Sequence, residues 1–469
     1  ATLNNNAGTI THAGTGTLTI NANHGSGALS NVNGHIEGNG QIAVSAGGVD
    51  NNGGSIVGQG SVSAQAAGVL DNTSGQLLSN ANLTVNGGTG VKNVGGTLGS
   101  GAALSLTTGG DLDNTRGTVQ AAGTGTLNAG NVNNTAGRIV SLNSDGLSIT
   151  ASGQIANASG TTAQGTAGGV IGGNGNATIQ AATLTNSSVI TVAQGLNAKI
   201  SGTLENSGGQ IVTNQLSVHA TNLTNEGGTL TQLGGGAMAM DVKSAIDNSN
   251  GGVIQSNGAD MTLAEAALNN NAGTITHAGT GTLTINDSGA LTNESGHIAG
   301  NGQIAVSAGG VDNNGGSIVG QGSVSAQAAG VLDNTSGQLL SNANLTVNGG
   351  TGVKNVGGTL GSGAALSLTT GGDLDNTRGT VQAAGAGTLN AGNVNNTAGR
   401  IVSLNSDGLS ITASGQIANA SGTTAQGTAG GVIGGNGNAT IQAAGLTNSG
   451  TITIAQGLNA KVTGTLDNS

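Results

Sequence analysis

The chain contains no cysteine, no proline and no phenylalanine, tyrosine or tryptophan. Without cysteine no disulfide can hold it together. Without aromatic rings a wide core cannot be filled, so any interior must be narrow and built from Val, Leu, Ile and Ala. Only 6% of residues are charged, yet 35% are apolar and recur regularly, which argues against disorder driven by charge. Long apolar runs are also missing, so no segment is expected to span a membrane. The nine Lys and Arg are scattered without aromatic interleaving, which excludes nucleic acid as the expected partner. Ala1-Thr2-Leu3 has no basic region leading into an apolar stretch, hence no signal peptide, and the chain is expected to be a piece of a longer one.

What is present is glycine, 93 residues of it, with Asn, Ser, Thr and Ala, arranged in two nested repeats. At the larger scale Ser26 to Ser207 returns as Ser288 to Ser469 with twelve substitutions, among them Val32 to Glu294, Thr124 to Ala386 and Glu205 to Asp467. At the smaller scale an apolar residue followed two places later by Asn opens each of 22 units, usually 20 or 21 residues apart, as in Val49-Asp50-Asn51, Leu70-Asp71-Asn72 and Val91-Lys92-Asn93. A Gly three places after the Asn and an aliphatic residue two places further on complete the opening, as Asn72, Gly75 and Leu77 show. An alternating stretch such as Asn82-Leu83-Thr84-Val85 then carries the period of a strand with one buried face.

Gly, Asn, Ser and Thr disfavour helix, and isolated hairpins bury too little to hold. One turn of a coil per unit resolves this, because Val49 then stacks on Leu70 and Val91, Ile56 on Leu77 and Leu98, and Val62 on Leu83 and Leu104. The expected fold is therefore all-β, one continuous parallel β-helix over residues 1–469 with about 22 coils, its duplicated parts 3–207 and 268–469 joined by coils 208–267.

The Asn column, including Asn51, Asn72, Asn93, Asn114 and Asn134 and again Asn313, Asn334, Asn355, Asn376 and Asn396, is expected to be a structural ladder of stacked amides. Asn also tolerates left-handed backbone, which the following Gly would relieve. Beside it runs a row of Asp50, Asp71, Lys92, Asp113 and Asn133, expected to be a solvated charge column. A catalytic pair at Asp111 and Asp113 is the competing reading, disfavoured because the pair recurs intact at Asp373 and Asp375 and no basic cluster or aromatic platform accompanies it. Six His at 12, 24, 35, 219, 277 and 297 occupy different offsets and are expected to be exposed single residues that form no metal site. The run Gly172 to Ile179 approaches a calcium nonapeptide, but Ala177 stands where the liganding Asp is required. No cofactor is expected. The longest coil, from Ile155 to Thr183, carries an insertion expected to bulge as a mobile loop, with Thr161, Thr162, Gln164 and Thr166 as candidate partner contacts.

Units such as Leu112-Asp113-Asn114-Thr115-Arg116-Gly117-Thr118-Val119 and Leu268-Asn269-Asn270-Asn271-Ala272-Gly273-Thr274-Ile275 resemble the shaft repeats of the filamentous haemagglutinin family. The resemblance covers essentially the whole chain. It implies a right-handed parallel β-helix, export through an outer-membrane two-partner secretion transporter of a Gram-negative bacterium, and a secreted or cell-surface location projecting from the outer membrane. It also implies a role in adhesion or contact-dependent growth inhibition. Two readings remain open: a passive, non-enzymatic shaft that presents a receptor-binding tip or toxin, and a surface that itself binds a host or bacterial receptor. Ice binding fails, because Thr17-x-Thr19 does not recur at the same place in neighbouring coils.

The periodicity makes one prediction about shape. With coils about 4.8 Å apart, a continuous stack of this many would be a rod on the order of 105 Å long by the same spacing. Small-angle scattering should show an extended particle, and a compact globule would refute the coil count.

Overall fold

The computed structural model describes residues 2–22, 24–144 and 146–469. Among them there is no helix; the chain is a parallel β-solenoid in which the strands of one coil pair with their counterparts in the next. It forms two compact units, one of Ala1–Thr224 with Gly228–Leu233, the other of Asn225–Gly227 with Gly234–Ser469.

A typical coil of the first unit has three strands, Val69–Asp71, Gln76–Ser79 and Leu83–Gly87. In the last of these Leu83 and Val85 face inward while Thr84 and Asn86 face solvent, as strand alternation requires. Register is kept from coil to coil: Val49, Leu70, Val91 and Leu112 stack, as do Ile56, Leu77, Leu98 and Val119 and Val62, Leu83 and Leu104. All of these are at most 2% exposed. Each contributes roughly 1.5–3 kcal/mol by leaving water. A one-residue slip would turn every one of them outward, so the register is strongly specified.

The second unit repeats the plan. Val311, Leu332, Val353 and Leu374 form one inner column and Ile318, Leu339, Leu360 and Val381 another. The regularity relaxes towards the end of the first unit, where the strands Val189–Ile200 and Gln210–Thr224 run 12 and 15 residues. Their pairing shifts register between Val192 and Gly195. A bulge there lets one strand continue where other coils turn, consistent with a corner reduced to Ala193-Gln194-Gly195.

The tight turn after most ladder Asn differs from expectation in where it places its strain. The left-handed residue is neither the Asn nor the Gly three places on, but the residue between them: Gly53 (φ 65°), Ser74 (φ 53°), Gly95 (φ 63°), Arg116 (φ 56°) and Ala136 (φ 53°). The Gly at the third place has another reason. A Cβ on Gly75 would collide with the Asn51 backbone oxygen and lie 2.7 Å from Asn72 Oδ1, so only glycine leaves room for the coil beneath.

This assigns opposite outcomes to two neighbouring substitutions. Ser74 is exposed and held left-handed. Removing its Cβ relieves about 1–2 kcal/mol of steric cost against about 0.5–1 kcal/mol of added chain entropy. Ser74→Gly should therefore leave stability unchanged or raise it by up to about 1 kcal/mol, whereas Gly75→Ala should lower it clearly. Denaturant unfolding followed by circular dichroism checks both signs.

Candidate functional site

The side chain that recurs in every coil is the ladder Asn. Asn51, Asn72, Asn93, Asn114, Asn134, Asn334, Asn355, Asn376 and Asn396 are 0% exposed and Asn313 is 1% exposed. Each is placed by the short strand before it and by its own backbone carbonyl, which accepts the amide of the Gly three residues on, as Gly75 N–H does to Asn72 O at 3.0 Å. The side chain then points along the stack. Asn51 Nδ2 donates to Asn72 Oδ1 at 2.7 Å, Asn72 to Asn93 at 2.8 Å and Asn93 to Asn114 at 2.8 Å.

In the first unit these bonds run unbroken from Asn5 to Asn206. In the second they run from Asn225 to Asn468. The second amide hydrogen serves the backbone of the next coil; Asn93 Nδ2 reaches Thr118 O at 3.1 Å. With both hydrogens and the oxygen engaged inside the stack, the column offers a ligand nothing.

The Asp row lies on the surface beside it and its carboxylates are also largely engaged. Asp113 Oδ1 accepts Thr115 N–H at 3.0 Å and the Thr115 hydroxyl at 2.6 Å. Asp375 does the same with Thr377. Lys92 Nζ lies 3.8 Å from Asp71 Oδ2, and Lys354 Nζ lies 3.2 Å from Asp333 Oδ2. Partial burial pushes the Asp333 carboxyl up, but the Thr335 hydroxyl and amide and then Lys354 outweigh it and hold the group below its ordinary value. These are surface pairs, worth about 0–1 kcal/mol.

Asp111, the other member of the considered acid pair, accepts the Asn131 backbone amide at 3.0 Å and its side-chain amide at 2.8 Å. Asp111 and Asp113 border an open groove of about 390 Å³ with Asn131, Asn133 and Gln154, and no base faces them there. Asp113 is engaged by its own turn and Asp111 by Asn131 of the next coil.

The histidines need two corrections, because His12 is half-buried rather than exposed and His277 is fully buried. His24, His35, His219 and His297 are exposed, but His277 is 0% exposed, with Nε2 3.0 Å from the Gly258 carbonyl oxygen. It ends the strand Thr274–His277 at a position where the neighbouring coils place Ser256 and Gly300, so the ring fills space their small side chains leave. No group of three or more His, Cys, Asp or Glu suited to a metal occurs among the described residues.

The insertion in the long coil is better ordered than its composition suggested. Gly160–Thr161 pairs antiparallel with Ala167–Gly168, making a hairpin that folds back over earlier coils. Thr162 is 1% exposed; its hydroxyl lies 2.9 Å from that of Thr166, and its amide donates to Thr166 O at 2.9 Å. Ala163 N–H reaches Arg116 O at 2.9 Å, Gln164 Nε2 reaches Thr97 Oγ1 at 3.3 Å, and Arg138 Nη1 reaches Ala167 O at 3.1 Å. The hairpin thus lies across three preceding coils. Thr161, Gln164 and Thr166 are exposed, although the Gln164 amide is turned to Gly95 and Thr97 of an earlier coil and the Thr166 hydroxyl to Thr162. The copy in the second unit, Gly422–Thr423 with Ala429–Gly430, docks in the same way on Arg378, Thr359 and Arg400.

Among the described residues no helix is long and apolar enough to cross a membrane. A family model described as haemagglutinin repeat matches residues 13–74, 59–116, 113–159, 278–378, 375–421 and 412–469. The tRNA nuclease CdiA-2 of Burkholderia pseudomallei (strain 1026b) is 52% identical over 64 residues, which is 14% of this chain and 2% of that protein. No solved structure matches.

The ladder geometry sets the cost of breaking it. Asn93→Leu takes the acceptor from Asn72 Nδ2 and the donor from Asn114 Oδ1 and Thr118 O. Buried groups left without partners should lower stability by roughly 1–3 kcal/mol. Denaturant unfolding measures it, and an unchanged midpoint would mean that the stacked amides contribute nothing.

Proposed function

The chain belongs to the haemagglutinin-repeat family, whose model matches well over half of it, and on that premise we propose that it is a non-catalytic shaft segment of a large exported surface protein. The segment would space a receptor-binding tip or a toxin from the producing Gram-negative cell, after export through an outer-membrane two-partner secretion transporter. The observation that carries this reading is the inward use of polarity. The ladder amides and the turn-capping carboxylates are spent on the fold, and no aromatic residue is available as a binding anchor. The aligned stretch amounts to only 2% of the CdiA-2 length, so a toxin activity in the parent of this chain is part of the proposal.

A second reading, that the segment binds a receptor itself, is favoured by the hairpins. They carry the exposed residues Thr161, Gln164 and Thr166 in one unit and the same sequence in the other. The test compares the full-length parent with a deletion of residues 26–287, which removes one copy, at equal surface display. A spacer should keep target-cell binding within about twofold, whereas an array of linked sites should lose far more when their number is halved. Replacement of the missing coils by unrelated solenoid of equal length separates reach from recognition. Binding that falls and is not restored by the replacement would reject the shaft reading.

A further inference from the structure

We infer that Glu265 and Asp287 form a proton-holding clasp between successive coils of the second unit, closed while a proton sits on Glu265 and loosened when it leaves, so that this joint tightens as the medium turns acidic. The two residues end the strands Met261–Glu265 and Thr282–Asp287 and are partners in the parallel register. Both point inward, Glu265 at 7% and Asp287 at 3% exposure. Their place in the coil is otherwise apolar or small. The next coils put Ala308 and Ala328 there, the coil before puts Val242, and the first repeat puts Ala22 where Asp287 now stands.

The two carboxyls are held differently. Asp287 accepts two backbone amides, Leu268 N–H on Oδ2 at 3.0 Å and Gly289 N–H on Oδ1 at 2.8 Å, so it caps the corner of the coil beneath. Such bonds favour its charged form. Neither oxygen of Glu265 has a hydrogen-bond partner. A buried carboxylate with no donor, stacked against another carboxylate, is strongly disfavoured unless it keeps its proton.

The remaining charged groups do not relieve it. Asp241 and Lys243 lie on the outer face on either side of Val242. Asp260 begins the neighbouring turn and accepts Thr282 N–H, and His277 is turned to Gly258 O. Burial first, and then the charge of Asp287, push the Glu265 carboxyl up from 4.5 to about 8. Asp287 is also raised by burial, against the lowering effect of the Gly289 and Leu268 amides.

The sign follows from these values. An opened coil returns Glu265 to its ordinary 4.5, while the closed one holds the proton up to about 8. Between those limits opening releases a proton, so the opening equilibrium rises with pH by about tenfold per unit. It levels off above about pH 8, where both forms are ionised, and below about 4.5, where both are protonated. The raised group on Asp287 adds in the same direction.

The test is amide hydrogen exchange of the intact chain from about pH 5.5 to 9, each rate divided by that of an unstructured peptide at the same pH. In the wild type, protection of residues 261–291 should fall by about tenfold per unit to about pH 8 and then stay level. Residues 304–333, which carry Ala308 and Ala328 at the same place, should show no such slope. Glu265→Gln, which cannot titrate, should cut the slope to what Asp287 alone supplies. Replacing both acids by Ala, as in the neighbouring coils, should remove it and raise protection at neutral pH. A flat wild-type profile, an undiminished slope in Glu265→Gln, or any slope in the double variant overturns the clasp.

Discussion

A buried amide must find partners for two donors and an acceptor, and the ladder Asn finds them only because another coil lies above and below. Asn93 takes one hydrogen bond from Asn72, gives one to Asn114 and gives a further one to the Thr118 carbonyl. No single coil can satisfy that geometry. The requirement fixes the coil's rise at the strand spacing, and it dictates glycine at Gly75 and its equivalents, where a Cβ would strike the neighbouring coil. It also makes the whole coil the unit of insertion or loss. Duplication by complete coils therefore leaves every amide partnered, and the second unit repeats the columns of the first residue for residue.

The features that repeat with one kind of residue were legible in the sequence, and those that vary in identity or occur once were not. Val49, Leu70 and Val91 could be stacked on paper because their spacing is constant, and the structure pairs them so. The left-handed residue escaped notice because its identity varies, being Ser74, Gly95, Arg116 or Ala136, although its offset from the Asn does not. His277 was misjudged because exposure was argued from differing offsets. Comparison with Ser256 and Gly300 would have shown a large ring among small inward neighbours. Glu265 and Asp287 carried a visible signal: Met261-Thr262-Leu263-Ala264-Glu265 alternates, so its last residue must face inward.

The hairpins show a second limit. Composition correctly marks residues 158–169 as outside the coil pattern, but low hydrophobicity does not say where a segment goes. Its docking rests on backbone bonds, Ala163 N–H to Arg116 O and the Thr162 turn, together with close approach of Gly160 and Gly168 to Ala136. The contacts with Arg116 and Ala136 reach residues 24 to 47 positions earlier, which no local pattern can relate. The same docking removes most of the conformational freedom that a contact loop would otherwise lose on binding, so an exposed row of Thr161, Gln164 and Thr166 is presented already ordered.

These observations divide the molecule by what its polar groups do. Wherever the coil repeats, the ladder amides and the turn-capping carboxylates are consumed by the stack. The amide ladder is closed to solvent, Asp113 and Asp375 cap their own turns, and Lys92 and Lys354 sit against neighbouring Asp. A surface so committed has little left with which to recognise anything, and this is what a spacer requires. Specific behaviour then belongs where the period fails. The hairpins add exposed polar groups that the coils do not need, and the Glu265–Asp287 stack adds inward ones that the coils cannot satisfy. The first can discriminate a partner without disturbing the core, and the second can change the core without presenting anything to a partner. The proposed receptor contact and the proposed response to acid therefore rest on separate departures from one repeat, and either could be altered without the other.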